Sequence, residues 1–257
     1  VVTLFTVNKS MESSFNGCIV IPVYNHQQGL SIILPKIQEK GWPIILVNDG
    51  SSEECKQVLE NMAEAHPATQ LVNLSYNQGK GAAIKAGMRA ALQQQFTHAV
   101  QVDADGQHNI EDIEAFFSLG KTYPTAIICG HPIYDESVPK HRFYARYLTH
   151  IWVWINSLSF NVKDSMCGFR CYPLENFMSI VDTEYTGNRM DFDSEIMVRW
   201  VWRDYKVVNH GTHVSYPLDG LSHFLLWKDN YLITAMHTRL FFGMLWRLPK
   251  LIARKLT

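Results

Sequence analysis

An α/β fold with a mostly parallel central sheet and helices on both faces is predicted by three features of the sequence. From Cys18 to Val102 short β-branched runs alternate with helix-period segments. The runs are apolar at nearly every position, the pattern of strands covered on both faces. Each run ends in a polar turn, and ligands of open parallel sheets sit beyond the carboxyl ends of the strands.

The elements follow in order. Cys18-Ile-Val-Ile-Pro-Val predicts the first strand and Leu30 to Lys40 the first helix; Ile44-Ile-Leu-Val and Glu53 to Ala65 repeat the unit. Gln70-Leu-Val-Asn-Leu, the helix Gly81 to Gln95 and the strand His98 to Val102 complete the half. The second half differs, with aromatic-rich helical stretches (Lys140 to Phe160, Phe192 to Tyr205, Asn230 to Trp246) around a turn segment from Asp164 to Arg170. No repeat, low-complexity tract or long linker divides the chain. We expect a loose arm over residues 1–16, one catalytic domain over 17–229 with halves 17–110 and 111–229, and a basic aromatic segment over 230–257.

Composition excludes several classes. The 257 residues are 47% hydrophobic and 18% charged, enough apolar content for a sizeable core. Lys and Arg total 23 against 24 Asp and Glu, so no basic field exists to hold nucleic acid. Five cysteines without a C-x-x-C pair argue against a disulfide framework or structural zinc, and fit a reducing cytoplasmic compartment. No apolar run approaches the roughly 18–20 residues of a membrane-spanning helix. The first residues lack the pattern of a secretory signal.

The strand ends carry the chemistry. Asp103-x-Asp105 follows a strand directly, where two carboxylates share a hard divalent cation, Mg²⁺ or Mn²⁺, with Gln107 as a further oxygen. A solvated acidic turn is the plain alternative. Asp103, Asp105, Gln107 and Glu114 also match positions of a calcium loop, but His108 stands where that loop needs glycine. Gly79-Lys80-Gly81 lacks the Ser or Thr of a phosphate loop, and Ile84 breaks the dinucleotide fingerprint. What is left is a glycine pair opening a helix, offering backbone N–H groups and one ammonium to an anion.

Taken together, Ile21-Pro-Val-Tyr-Asn25, Val47-Asn-Asp-Gly-Ser-Ser52, Asn77-x-Gly-Lys-Gly-Ala82, Val102-Asp-Ala-Asp-Gly-Gln-His108, Gly168-Phe-Arg170 and Asp191-Phe-Asp-Ser-Glu195 resemble the family 2 inverting glycosyltransferases. The branch they are most similar to is the dolichyl- or polyprenyl-phosphate sugar synthases. The resemblance implies a GT-A fold and a nucleotide-sugar donor, UDP- or GDP-linked. It implies that Pro22, Tyr24 and Asn25 flank the base, that Asp49 accepts from the base ring, and that Lys80 and Asp103 lie at the nucleotide. Asp105 and Gln107, with Asp103, would hold the metal.

On the acceptor side the resemblance makes Asp193 the candidate general base, with Asp191 and Glu195 as alternatives. A phosphate acceptor, already anionic, would need only to be held. Arg142 and Arg146, four apart on a helix, would bind such a phosphate together with Arg170. Either His223 or Lys228 would face the donor diphosphate from a closing loop. After Asp229 only basic charges occur, interleaved with Tyr231, Phe241, Phe242 and Trp246. That pattern fits a helix lying on the inner face of a membrane, or one packed on its own domain. The expected activity is transfer of a hexose to a lipid or lipid-linked acceptor. The alternatives are a transferase for a soluble or growing glycan and a non-catalytic nucleotide-sugar-binding scaffold.

Overall fold

The computed structural model describes residues 14–133, 140–214 and 225–256, with side chains of the second stretch from Arg146 onward. Strand β1 (Gly17–Val23) is central, flanked by β2 (Ile44–Asp49) and β4 (His98–Gln101), with β3 (Thr69–Leu74) on the edge beside β2. All four run parallel, in the register Ile19 to Ile44, Ile44 to Thr69 and Gly17 to His98. Beyond β4 come β5 (Ile127–Ile133), β6 (Arg170–Pro173) and β7 (Val207–His213), giving a seven-stranded sheet of order β3-β2-β1-β4-β6-β5-β7. Only β6 is antiparallel to its neighbours. Its first residue, Arg170, pairs with Gln101, so it reaches the edge where the parallel strands end.

The strands alternate two cores. Cys18, Val20, Ile45 and Val47 face one layer with α3 (Lys80–Gln93), α6 (Leu174–Val181), α7 (Phe192–Trp202) and α8 (Leu226–Leu256). Ile19, Ile21, Ile44 and Leu46 face the other, with α1 (Gln27–Glu39), α2 (Glu53–Glu64) and α4 (Asp112–Thr122). This period-2 alternation within unbroken apolar runs is what a sheet covered on both faces demands. A Cβ on Gly87 would lie 2.4 Å from Val20 Cγ1, so glycine there lets α3 lie close on the sheet.

Three expectations are corrected. Residues 14–16 are tied to the domain, Thr97 N–H donating to the Asn16 carbonyl at 2.8 Å and the Phe15 ring lying 4.7 Å from that of His98; the rest of the expected arm lies outside the described residues. The turn segment before Arg170 leads into β6, and β5 and β7 were not legible as strands. The division at 229/230 falls inside one helix: α8 begins at Leu226 and buries Met236, Leu240, Met244 and Leu251 in the first core. Among the described residues no helix is long and apolar enough to cross a membrane. All five cysteines are free and buried.

Candidate active site

The carboxyl ends of β1, β2 and β4 meet at one edge, and the loops there are built by side-chain bonds between them. Asn25, in the left-handed region at φ 52°, donates its N–H to Ser51 Oγ and accepts from Ser52 N, tying the turn after β1 to that after β2. Pro22 and Tyr24 are half-buried beside it. Asp49, 2% exposed, accepts from Gln78 N at 2.7 Å, Gly79 N at 2.9 Å and Asn77 Nδ2 at 3.2 Å. These three bonds fasten the loop before α3 and leave acceptor capacity on Oδ1 for one further donor. Burial pushes its carboxyl up, and the Gln78 and Gly79 N–H groups oppose that.

The glycines around Lys80 are also structural. Ala82 N–H donates to the Asn188 carbonyl at 3.0 Å, and a Cβ on Gly79 would lie 2.4 Å from that oxygen. A Cβ on Gly81 would lie 2.5 Å from Phe192 Cβ, and Gly79 sits at φ +103°. The segment before α7 therefore covers this helix start, which is not an open anion cradle.

Lys80 itself is the hinge of the site. Its Nζ lies 2.8 Å from Asp103 Oδ2 and 2.9 Å from Asp193 Oδ2, joining the strand-end carboxylate to the start of α7. Burial opposes its charge, but Asp103 and Asp193 outweigh it and hold the ammonium more firmly protonated than usual. Burial likewise pushes Asp103 up, and Lys80 then His108 overcome it, keeping the carboxylate well below the usual range. Asp105 goes the other way: burial and the charge of Asp103 raise it, against His108 and the Gln107 N–H that it accepts at 3.0 Å. His108 stacks on Phe169 at 5.0 Å and brings Nε2 to 3.5 Å from Asp103. A Cβ on Gly168 would lie 2.5 Å from Asp103 Oδ2, so the glycine of Gly-Phe-Arg makes room for that carboxylate.

Of the candidate bases only Asp193 faces this centre. Its Oδ1 is buried and accepts no hydrogen bond from the described residues, with Arg170 Nη1 at 3.9 Å. Asp191 turns back to accept from Arg189 N, and Glu195, fully buried, accepts from Gly187 N, Arg199 and Arg239. Those two hold the segment that covers α3 and are corrected to structural roles. Arg170, expected at the acceptor, is fully buried and donates to the Asp193 and Ser165 carbonyls and to Tyr172 Oη, which sets α7 in place.

Arg146, on α5 (Lys140–Ser157), lines one cleft together with Asp103, Asp105, Gln107, His108 and Gly168. Its guanidinium grips Asp164 in two bonds of 2.7 and 2.8 Å. Asp164 also accepts from Met166 N and Cys167 N, with His150 Nε2 at 3.3 Å. Burial raises the Asp164 carboxyl, and His150 and Arg146 more than reverse it, holding the group well below its ordinary value. This clamp was not seen in the sequence, although His150 stands four residues after Arg146 on one helix face. The side chain of Arg142, and His223, lie outside the described residues. Lys228 is exposed on the first turn of α8 and is not among the residues lining the cleft.

The oxygen donors fit a divalent cation. Among the described residues no group of three His, Cys, Asp or Glu is placed to hold a metal ion by itself. Two carboxylates and an amide at one wall of a cleft are the open set that leaves positions for diphosphate and water. The raised Asp105 beside charged Asp103 is a pair that a cation would relieve.

A mostly parallel sheet with an acidic cleft at its strand ends is shared by many enzymes of different activity. Residues 18–177 match the family described as Glycosyl transferase family 2, and the chain belongs to that family. It is 31% identical over 198 residues to a dolichyl-phosphate beta-glucosyltransferase of Trichomonas vaginalis, covering 70% of this chain and 59% of that one. It is 25% identical over 202 residues to the human dolichyl-phosphate beta-glucosyltransferase, covering 70% and 61%. The chain thus spans about three fifths of these relatives. Among solved structures, glucosyl-3-phosphoglycerate synthase from Mycobacterium tuberculosis with Mn²⁺ and UDP-glucose is similar at TM-score 0.63 and 13% identity, over 91% of this chain and 79% of that one. S. aureus TarS with UDP-GlcNAc is similar at TM-score 0.58 and 11% identity, over 88% and 66%. The fold is the GT-A fold of these glycosyltransferases.

Proposed function

We propose that this chain is the catalytic domain of an inverting, metal-dependent glycosyltransferase that moves glucose from UDP-glucose to a polyprenyl-type lipid phosphate. The observation that carries the reading is that Asp103, Asp105 and Gln107 share one cleft with Arg146. Oxygen donors suited to a divalent cation and a guanidinium suited to an anionic acceptor thus line the same cleft. The names of the dolichyl-phosphate relatives support the lipid phosphate and the glucosyl group. The Mn²⁺ and UDP-glucose bound to a structural neighbour support the donor and metal.

Asp105, Asp103 and Gln107 would hold Mg²⁺ or Mn²⁺, which when bound neutralises charge on the departing diphosphate. Lys80 keeps Asp103 ionised and oriented by its 2.8 Å contact. The acceptor phosphate, held by Arg146, attacks the anomeric carbon through an oxygen that already bears charge, so no side chain removes a proton. The new bond forms as the bond to the nucleoside diphosphate breaks on the opposite face, which inverts the centre. Asp193 serves as the counter-charge that pins Lys80, a different role from a base. Catalysis is then positioning and electrostatics.

Two neighbouring helices support a seat on a lipid surface. On α5 Leu148, Ile151, Trp152 and Ile155 form an exposed stripe opposite the buried His150 and Val153. On α8 Trp246 is 85% and Trp227 87% exposed, with Tyr231 and Phe242. A helix apolar on both faces is otherwise found inside a core or a membrane. The basic charge expected of α8 is smaller than the sequence suggests, since Arg239 pairs with Glu195 and Arg254 with Asp204.

Transfer of radiolabelled glucose from UDP-glucose to dolichyl phosphate, with and without Mn²⁺, tests the reading. A β-linked product from an α-linked donor, lost with chelator and in Asp105→Ala, is expected. Transfer to free dolichol, or an α-linked product, overturns it.

A further inference from the structure

A second pocket adjoins the acidic cleft and shares Arg146 and Pro132 with it. The remaining wall comes from three elements: His131 at the end of β5, His150 and Tyr147 on α5, and Lys163 and Asp164 from the segment that leads to β6. Its one carboxylate, Asp164, is already spent. It is gripped by Arg146 at 2.7 and 2.8 Å and approached by His150 at 3.3 Å. Both ring nitrogens of His150 are engaged, Nδ1 lying 3.1 Å from Ser165 Oγ. Two groups are left over. Lys163 is exposed, and no carboxylate among the described residues pairs with it. The His131 ring meets the His210 backbone, and its other nitrogen, Nδ1, is buried without a hydrogen-bond partner among the described residues. Lys163 is close enough for its charge to depress the His131 imidazolium, after burial, which does so most.

We infer that this pocket reads the acceptor's phosphate monoester, with Lys163 and His131 as its specificity-determining residues beside Arg146. The inference rests on the reading above that the acceptor is a phosphate. A monoester phosphate has three terminal oxygens, more than one guanidinium already committed to Asp164 satisfies. Lys163 supplies a point charge and His131, at the end of β5, a ring nitrogen that donates once a bound phosphate draws a proton to it; neither residue lines the cleft of Asp103 and Asp105. A phosphate seated here keeps its negative charge away from the two carboxylates, and one oxygen can lie at the Arg146 boundary, where the two pockets join. A neutral hydroxyl acceptor would gain nothing from the Lys163 charge and would leave the buried His131 nitrogen unpaired, which is how a site of this kind disfavours an uncharged analogue.

The test is calorimetric binding to the whole chain, saturated with UDP and Mn²⁺, of three probes: farnesyl phosphate, farnesol and glycerol 3-phosphate. The chains compared are wild type, Lys163→Gln and His131→Ala. UDP affinity serves as the folding control, since neither residue touches the donor wall. The expected result is that farnesyl phosphate binds wild type, farnesol does not, and each variant weakens farnesyl phosphate at least tenfold with UDP affinity unchanged. If glycerol 3-phosphate binds as tightly as farnesyl phosphate and is weakened by the same variants, the pocket still reads a phosphate monoester, but from a soluble source. Equal farnesyl phosphate affinity in wild type and both variants overturns the pocket while leaving the phosphate acceptor standing. Failure of both phosphate probes to bind wild type overturns the acceptor reading and the pocket with it.

Discussion

Asp105 is held in a state that opposes its own folding. Its carboxyl titrates above the ordinary value because of burial and the charge of Asp103. Ionising it therefore costs stability, beginning as pH rises through the unfolded-state value near about 3.9 and growing until the folded value is passed. Asp105→Asn should raise the melting temperature of the metal-free protein at pH 7 and lower transfer by about a hundredfold or more, the scale of losing one electrostatic contact to developing charge. A lower melting temperature would contradict the account. Asp164 has the reverse sign: its carboxyl lies well below the ordinary value, so its contribution is present above about 3.9 and is lost as pH falls toward the folded value. Thermal melts from pH 5 to pH 2 should show Asp164→Asn with a shallower acid decline than wild type.

At the level of elements, the covered start of α3 decides what its glycines tolerate. A methyl at Gly81 must displace Phe192, so Gly81→Ala should cost about 1–3 kcal/mol, the usual range for an overfilled core, measured by urea unfolding. An open anion cradle would accept alanine at lower cost. The exposed aromatics of α8 make the opposite case, because they contribute nothing to the core. Phe242→Ser with Trp246→Ser should weaken sedimentation with anionic vesicles and leave the melting temperature within about 2 °C, since exposed positions usually shift stability by ±0.5 kcal/mol. Leu240→Ala on the buried face of the same helix should instead cost about 2–5 kcal/mol.

For the molecule as a whole, α8 belongs to the domain, and a chain ending at Asp229 should fail to fold cooperatively, seen as loss of a sharp thermal transition. The half built on β1, β2 and β4 was legible because central strands must be apolar on both faces, and Asp103 and Asp105 because they follow such a strand directly. The edge strand β7 was not, since Asn209, His210, Gly211 and Thr212 interrupt its pattern, and β6 is only four residues long. The Arg146 clamp was hidden for another reason: its partner Asp164 is 18 positions away and meets it only through tertiary packing. Gly79 and Gly81 were legible as special but not for what, because a turn, a phosphate and a neighbouring backbone all require the missing Cβ. Lys80, finally, is a single cation shared by two anions from opposite halves of the chain. If the donor binds as proposed, a diphosphate beside Asp103 would become a third claimant on that ammonium, and whatever charge it drew would be withdrawn from Asp193. Donor arrival would then reach the start of α7 as a change in electrostatic potential, at the speed of a side chain.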